Sequence, residues 1–481
     1  MIDPRRLIGV GFCVSFLVVQ SVEAQVFDIV SPQVQQYGRF GSAIATLPDI
    51  TGDGYGDLAI GAPQELPHGR VHLFDGGTLQ FLESISYPIQ DASKEVPSVG
   101  YEIAGVEDLN GDGKGEVLIG APGAKDATGT LSVGEAFVMS DGSVLYALQS
   151  SEPMHTGQFG ASVSSVPDVN GDSLDEIAIG APGEHLPADP ETSGRVHLFD
   201  GATGSLLRIL DSPNPIEIGE FGSEVRGISD VNGNGSGDVI VGAPREEVDG
   251  EPDGRVYVFD GQTGELIRSH HSPNSDTNRG IAFFGMALAT IPDLDADGVE
   301  DYAISTDGET VGFEPGNSGR AYVYSGQSGA LIHELSSENP KATGFFGVSL
   351  AGVADVNNDG RGEILVGAHG EALPGTEDET GLAYLFDGET GRNLVTLFPP
   401  LGLDRGQFGG SVATIEDANE DGVPEILVGA VLEPAGVQFR SGRVYLFLSP
   451  FFDRNDLNRD GYLDANDLLL FQRGWHQGIR R

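Results

Sequence analysis

Seven short segments of the chain set oxygen-bearing side chains at alternate positions, turn at a small residue and end on an acid. In "DLNGDGKGE" these side chains are Asp108, Asn110, Asp112 and Glu116, at positions 1, 3, 5 and 9. The same positions hold Asp49, Thr51, Asp53 and Asp57 in the first segment, and Asp168, Asn170, Asp172 and Glu176 in the third. They hold Asp230, Asn232, Asn234 and Asp238 in the fourth, and Asp293, Asp295, Asp297 and Asp301 in the fifth. The sixth has Asp355, Asn357, Asp359 and Glu363, and the seventh Asp417, Asn419, Asp421 and Glu425. Hard divalent cations take such oxygen ligands, and a Gly at position 6 allows the sharp turn that brings position 7 round. Position 6 is Gly in six segments and Ser173 in the third. Position 7 runs through Tyr55, Lys114, Leu174, Ser236, Val299, Arg361 and Val423, as expected if its backbone carbonyl is the ligand. No segment offers His or Cys, which disfavours zinc and copper. The crowded, flexible oxygen set favours calcium over magnesium. The fifth loop, with four Asp, is expected to be among the strongest, and the third and fourth weaker.

One such segment would carry little weight, because Asp, Asn and Gly also make ordinary hairpin turns. Their phase carries the reading. The segments belong to a repeat whose copies open at Phe40, Val99, Phe159, Phe221, Phe284, Phe346 and Phe408, spaced 59, 60, 62, 63, 62 and 62 residues apart. In every copy the first loop Asp follows nine residues after the opening residue. A second half also recurs: "GRVHLFDG" at Gly69 and Gly194, "GRVYVFDG" at Gly254, and weaker forms at Gly134, Gly319, Gly381 and Gly442. Each unit therefore holds four short runs of β-branched, aromatic and aliphatic residues punctuated by Gly, Asp, Asn and Pro. Four strands per unit repeated about an axis predict an all-β, seven-bladed β-propeller of four-stranded antiparallel blades. Each loop then closes a hairpin in nine residues, and the strand it enters replaces the helix of an EF-hand. The alternative is an open solenoid.

The ends supply the closure. The seventh unit lacks a fourth strand, and an orphan strand stands at Gln25–Gln33. Phe27–Val30 is therefore expected to be the outer strand of the last blade, so that the first and last segments share one sheet. Before it, Arg5 and Arg6 lead into the apolar run Leu7–Val19, shorter than a membrane span, with Val22 and Ala24 ahead of a cut. Residues 1–24 read as a secretory signal; an uncleaved anchor is the alternative. The only cysteine, Cys13, lies there, so the mature chain would have no disulfide and need another clasp. No other stretch is long and apolar enough to span a membrane. The formal net charge of -47 repels nucleic acid and anionic membranes and suits divalent cations.

The motifs Phe40-Gly41, Asp49–Asp57 and Gly61-Ala62-Pro63 resemble the FG-GAP repeats of integrin α-subunit propellers, over about Gln25 to Leu448. The resemblance implies seven blades, with calcium in the first hairpin of several of them. Departures fall at Val99, at "ISTD" (Ile304–Asp307), and at the "GAH" and "GAV" endings of units six and seven. After Pro450, the segment 451–481 changes style. Asp456, Asn458, Asp460, Gly461, Asp464 and Asp467 stand at loop positions 1, 3, 5, 6, 9 and 12, followed by apolar residues at helical spacing and the only Trp, Trp475. This tail resembles an EF-hand half or a single dockerin-type repeat; the alternative is a capped helix packed on the propeller.

No catalytic set stands out. There is no G-x-S-x-G elbow, and "GNGSGD" (Gly233–Asp238) lies inside a metal loop. His72 and His197 fall in third strands, and Arg70, Arg195, Arg255, Arg320 and Arg443 recur at their starts, where structural roles are expected. The variable loops, such as Gly183–Ser193, Asp307–Ser318 and Ser272–Phe283, should gather on the face opposite the metal hairpins and form a binding surface. The leading expectation is a secreted or cell-surface, calcium-stabilised, monomeric binding or adhesion module for protein or glycan ligands. The alternative is a secreted hydrolase or lyase with its site on that same face.

Overall fold

The computed structural model describes residues 26–448, apart from 88–97, 127–131, 186–191, 249, 276–280, 374, 377 and 419–421. Residues 1–24, expected to be a signal, and the tail 451–481, with the expected loop from Asp456 to Asp467, lie outside the described residues, as do Asn419 and Asp421.

Among the described residues, twenty-eight strands form seven four-stranded sheets. Blade one comprises Ile44–Leu47, Asp57–Ala62, Arg70–Phe74 and Phe81–Ser86. Within blades one to six the strands pair antiparallel in chain order, as in blade three, where Val163 faces Ile179, Ile179 faces His197 and His197 faces Ile209. The second strand of every blade is buried along its whole length. That matches its unbroken apolar run, because both of its faces pack on neighbouring blades. The outer strand lies largely in water; in Phe81–Ser86 only Ile85 is buried. First strands of successive blades touch one another around the ring, so they line the axis. Arg226 of blade four reaches Glu102 of blade two there at 3.4 Å.

Seven apolar clusters hold the ring, each shared by two adjacent blades. The opening Phe of each repeat is the wedge. Phe40, Phe159, Phe221, Phe284, Phe346 and Phe408 are wholly buried, and Val99 fills the same place in blade two. Phe221, for example, packs on Val196 and Leu198 of blade three and on Tyr257 and Phe259 of blade four. The Gly of the GAP letters explains itself sterically. A Cβ on Gly242 would stand 2.2 Å from the carbonyl oxygen of Gly285 in the next blade, so only glycine lets the two backbones approach. In blade five Ser305 and Thr306 take these places and turn polar. Ser305 Oγ accepts the Ala287 amide at 2.8 Å, and Thr306 Oγ1 donates to Ala282 O at 2.7 Å.

The ring closes as the chain ends predict. Val26–Ile29 pairs antiparallel with Arg443–Phe447, Ile29 facing Val444, and completes the seventh sheet. The open-solenoid alternative is thereby ruled out.

Candidate metal centres

Each loop joins the first strand of a blade to the second, and two carboxylates organise it. The position-1 Asp bends the loop back on itself. Its Oδ2 accepts the position-6 amide in all seven, from Gly54, Gly113, Ser173, Gly235, Gly298, Gly360 and Gly422, at 2.6–2.9 Å. Position 6 is in the left-handed region throughout; Ser173 adopts it at φ 72° where the others use glycine. Burial pushes against ionisation, but the loop amides together hold the carboxyls of Asp49, Asp108 and Asp168 below their usual range.

The position-9 acid is the first residue of the second strand and is wholly buried in every blade. One of its oxygens accepts the position-2 amide in all seven loops, at 2.6–2.9 Å. The other oxygen divides the loops into two classes. Where position 9 is Asp, the short side chain stays on the backbone: Asp57, Asp238 and Asp301 accept the amides of Gly76, Gly261 and Gly326 at the turn after the third strand. Glu is one methylene longer and reaches into the loop, so that Asn110 Nδ2 donates to Glu116 at 2.7 Å and Asn170 Nδ2 to Glu176 at 2.5 Å. In blade six the Oε1 of Glu363 is buried without a hydrogen-bond partner.

The ligand geometry follows this division. Carboxylate oxygens converge to within 4.8 Å of one another in Asp108/Asp112/Glu116, Asp168/Asp172/Glu176 and Asp355/Asp359/Glu363. In the fifth loop they converge through Asp293, Asp295 and Asp297, leaving Asp301 aside. The third loop converges although Ser173 replaces its Gly. In the fourth loop Asn232 and Asn234 both donate to Asp260, at 2.9 and 2.6 Å, so the amides that replace carboxylates are turned towards a neighbouring acid. Burial raises the position-9 carboxyls. Asp238 and Asp301 rise to about 6, Glu176 to about 7 and Glu363 to about 9, with the other loop acids adding to the shift. Crowded, desolvated carboxylates and one orphaned buried oxygen are what a bound divalent cation would relieve, and the all-oxygen donor set fits a hard ion.

Two recurrent features escaped the sequence reading. The third strand ends on Asp260 and Asp387 in blades four and six and is followed directly by Asp200 in blade three, and these acids accept from Asn170, Asn232 and Asn357 of the loops. On the opposite face lies a ring of buried glutamates: Glu65, Glu184, Glu246, Glu309, Glu371 and Glu433. Each follows three residues after the Ala of GAP, or after its counterpart Thr306, a spacing visible in the sequence. Third-strand side chains bind them. His72 and His197 meet Glu65 and Glu184 at 3.0 and 2.7 Å, Tyr322 donates to Glu309 at 2.6 Å, and Tyr257, Tyr384 and Tyr445 donate to Glu246, Glu371 and Glu433. His72 and His197 are thus wholly buried structural residues. Arg195, at the start of its strand, is likewise held by Glu152 and Asp211, at 2.8 Å each.

The antiparallel order puts the loops between second and third strands, and the links between blades, on this opposite face. At the junction of blades seven and one, Tyr37 and Phe439 meet edge to face at 6.1 Å. The Arg440 guanidinium sits 5.2 Å from the Phe439 ring centre. Beside them Val437 is 97% exposed and Leu66 69%.

Comparison with known proteins places these features in context. A family described as FG-GAP repeat matches residues 40–74, 99–133, 159–199, 221–259 and 346–386. The chain is 30% identical to integrin alpha-2 of Bos taurus over 256 residues, 52% of this chain and 20% of that protein. It is 31% identical to integrin alpha-IIb of Homo sapiens over 277 residues, 53% of this chain and 25% of that protein. The matches thus span a quarter or less of these relatives' length. A crystal structure of BBS1N in complex with ARL6DN, soaked with lead, superposes with a TM-score of 0.53 at 10% identity, covering 90% of this chain and 99% of that one. This last likeness is one of fold alone. The chain carries FG-GAP repeats on a seven-bladed propeller and is similar there to integrin α subunits.

Proposed function

We propose that the protein is an extracellular or cell-surface binding module, an adhesion propeller for protein or glycan ligands, whose blades are secured by calcium in the first-hairpin loops. The observation that carries the ligand reading is the exposed apolar patch of Tyr37, Leu66, Val437 and Phe439, on the face of the variable loops. Large apolar side chains held in water by ordered loops mark interaction surfaces more often than they serve stability. The similarity to integrin α subunits supports the same reading.

In the metal reading, Asp108, Asp112 and Glu116, with their counterparts in loops three and six, would hold one ion each, and Asp293, Asp295 and Asp297 another. The ion would neutralise repelling carboxylates and tie the loop to the start of the second strand. Loops one, four and seven would bind through their remaining oxygens, and the tail loop from Asp456 to Asp467 is proposed as a further site. Residues 1–24 would direct export, and no helix among the described residues is long and apolar enough to cross a membrane.

The ligand reading is tested by screening the calcium-loaded protein against extracellular matrix proteins and a glycan array, beside the double variant Val437→Ser, Phe439→Ser. Binding lost in the variant at unchanged melting temperature supports the surface. Binding that the variant retains in full, or none by either protein, overturns it.

A further inference from the structure

At four successive blade junctions one residue of the outer strand acts as a latch. It reaches the turn between third and fourth strands of the next blade and donates to a main-chain carbonyl. Tyr146 Oη donates to Ala202 O at 2.7 Å, Arg208 Nη2 to Gln262 O, Arg268 Nη2 to Gln327 O at 3.0 Å, and His333 Nε2 to Gly388 O at 2.8 Å. The sheet register makes these positions equivalent: each stands opposite the fourth residue of its third strand in blades three, four and five, as Arg208 opposite Leu198, Arg268 opposite Val258 and His333 opposite Val323.

Between blades one and two the equivalent residue is Glu83, opposite Leu73. A carboxylate has no proton to donate to a carbonyl. The facing turn is also shorter, running directly from Ser140 through Asp141 and Gly142 to Ser143. A cavity of about 100 Å³ remains where the latch is missing. Leu82, Ile85, Val117 and Met139 give it an apolar lining, and Glu83 and Asp141 also line it. Lys114 Nζ holds Asp141 Oδ1 at 2.7 Å. Among the described residues no basic side chain pairs with Glu83.

We propose that this cavity receives the arginine side chain of a partner polypeptide. The aliphatic stem would lie on Leu82, Ile85 and Met139, and the guanidinium would meet the carboxylates of Glu83 and Asp141, whose planar oxygens suit its fork of N–H donors. The guest would take, from outside, the place that Arg208 and Arg268 fill from within at the junctions of blades three to five. The strongly negative chain draws a basic segment towards it. Thr51 and Gly115 of the first two metal loops also line the cavity, so it lies on the metal-loop face. It is therefore separate from the patch of Val437 and Phe439, and neither reading depends on the other.

The test uses the full calcium-loaded protein at physiological ionic strength, where diffuse attraction is screened beyond about 8 Å. Binding of acetyl-Ala-Arg-Ala-amide is compared by calorimetry with its citrulline counterpart, a neutral mimic of the same shape, and with agmatine. Saturable binding of the arginine peptide is expected, at least tenfold tighter than the citrulline peptide. Glu83→Arg should supply the missing latch and abolish it, Glu83→Gln should weaken it severalfold, and the distant exposed Glu265→Gln should leave it unchanged. The proposal is overturned if the two peptides bind alike or not at all, if Glu83→Arg and Glu83→Gln both bind like the parent, or if agmatine binds and the peptide does not.

Discussion

Asp28 and Arg443, 415 residues apart in the chain, form an ion pair that seals the seventh blade. Asp28 lies on the N-terminal strand and Arg443 opens the third strand of the last blade, so the two ends of the propeller meet in one sheet. The Asp28 side chain is 56% exposed, so the pair itself is worth less than about 1 kcal/mol. Buried Ile29, in the apolar cluster shared with Phe40, Leu58 and Val444, contributes more. Urea unfolding should show Asp28→Ala costing at most about 1 kcal/mol and Ile29→Ala about 2 kcal/mol or more. Equal small effects would mean that closure adds little.

The two classes of loop predict unequal affinity for calcium. Glu363→Gln should remove one tight site in calorimetric titration, because it neutralises the position-9 carboxylate that faces the loop interior. Asp238→Asn should leave the number of tight sites unchanged, since Asp238 already spends both oxygens on backbone amides. Asn234→Asp should turn the weak site of loop four into an additional tight one by restoring the missing carboxylate. A tight-site count unmoved by Glu363→Gln would contradict the assignment.

The pH response should invert with metal. Burial raises Glu371 to about 7, as it does Glu176, and Glu363 to about 9, against 4.5 for an ordinary glutamate. Between those values the folded state keeps protons that the unfolded state has released. Metal-free stability must then fall as pH rises from about 4.5 through 7 and on towards 9. Bound calcium needs the ionised carboxylates, so in its presence stability should rise over the same interval. Urea midpoints at pH 5, 7 and 9, in EDTA and in calcium, check both signs. Glu371→Gln, on the face without metal loops, should remove the same falling contribution from both curves and so flatten the EDTA curve and steepen the calcium curve.

Tyr257→Phe removes the phenol that donates to Glu246, a wholly buried carboxylate that Ser212 also holds. Losing one partner of a buried charged group costs about 1–3 kcal/mol. Tyr257→Phe, Glu246→Gln should lose less than the sum of its parts, a coupling that a double-mutant cycle measures.

The blade-to-blade contact depends on close backbone approach. Gly242→Ala would drive a methyl into the Gly285 carbonyl and should cost about 3 kcal/mol. Phe221→Ala, at the junction of blades three and four, should cost about 3–5 kcal/mol by leaving a cavity. Chemical unfolding of the two variants is the check, and a neutral Gly242→Ala would show that the blades can slide apart at no expense.

Much of this architecture was legible beforehand because a repeat multiplies weak signals. One D-x-N-x-D-G is an ordinary turn, but seven in phase, each followed by a buried strand, dictate the hairpin and hence the blade. The orphan strand at Phe27–Val30 announced ring closure for the same reason, since a seventh unit without an outer strand leaves an edge to be paired. The loops proved less uniform than their letters suggest. Asp301 and Glu363 occupy the same position, yet one methylene decides whether the second oxygen meets a backbone amide or the loop interior. Glu65 and its five counterparts were equally periodic, but their role depends on a His or Tyr that arrives from another strand.

The sequence by itself determined the number of blades, the order of their strands and the face that carries the acidic loops, because periodicity and turn chemistry are local. Only the tertiary structure decided which oxygens converge, which are spent on amides, and where the junction of blades one and two lacks its latch. Those outcomes depend on distances between segments that the chain brings together only when the ring closes, and side chains one bond different in length then meet different partners.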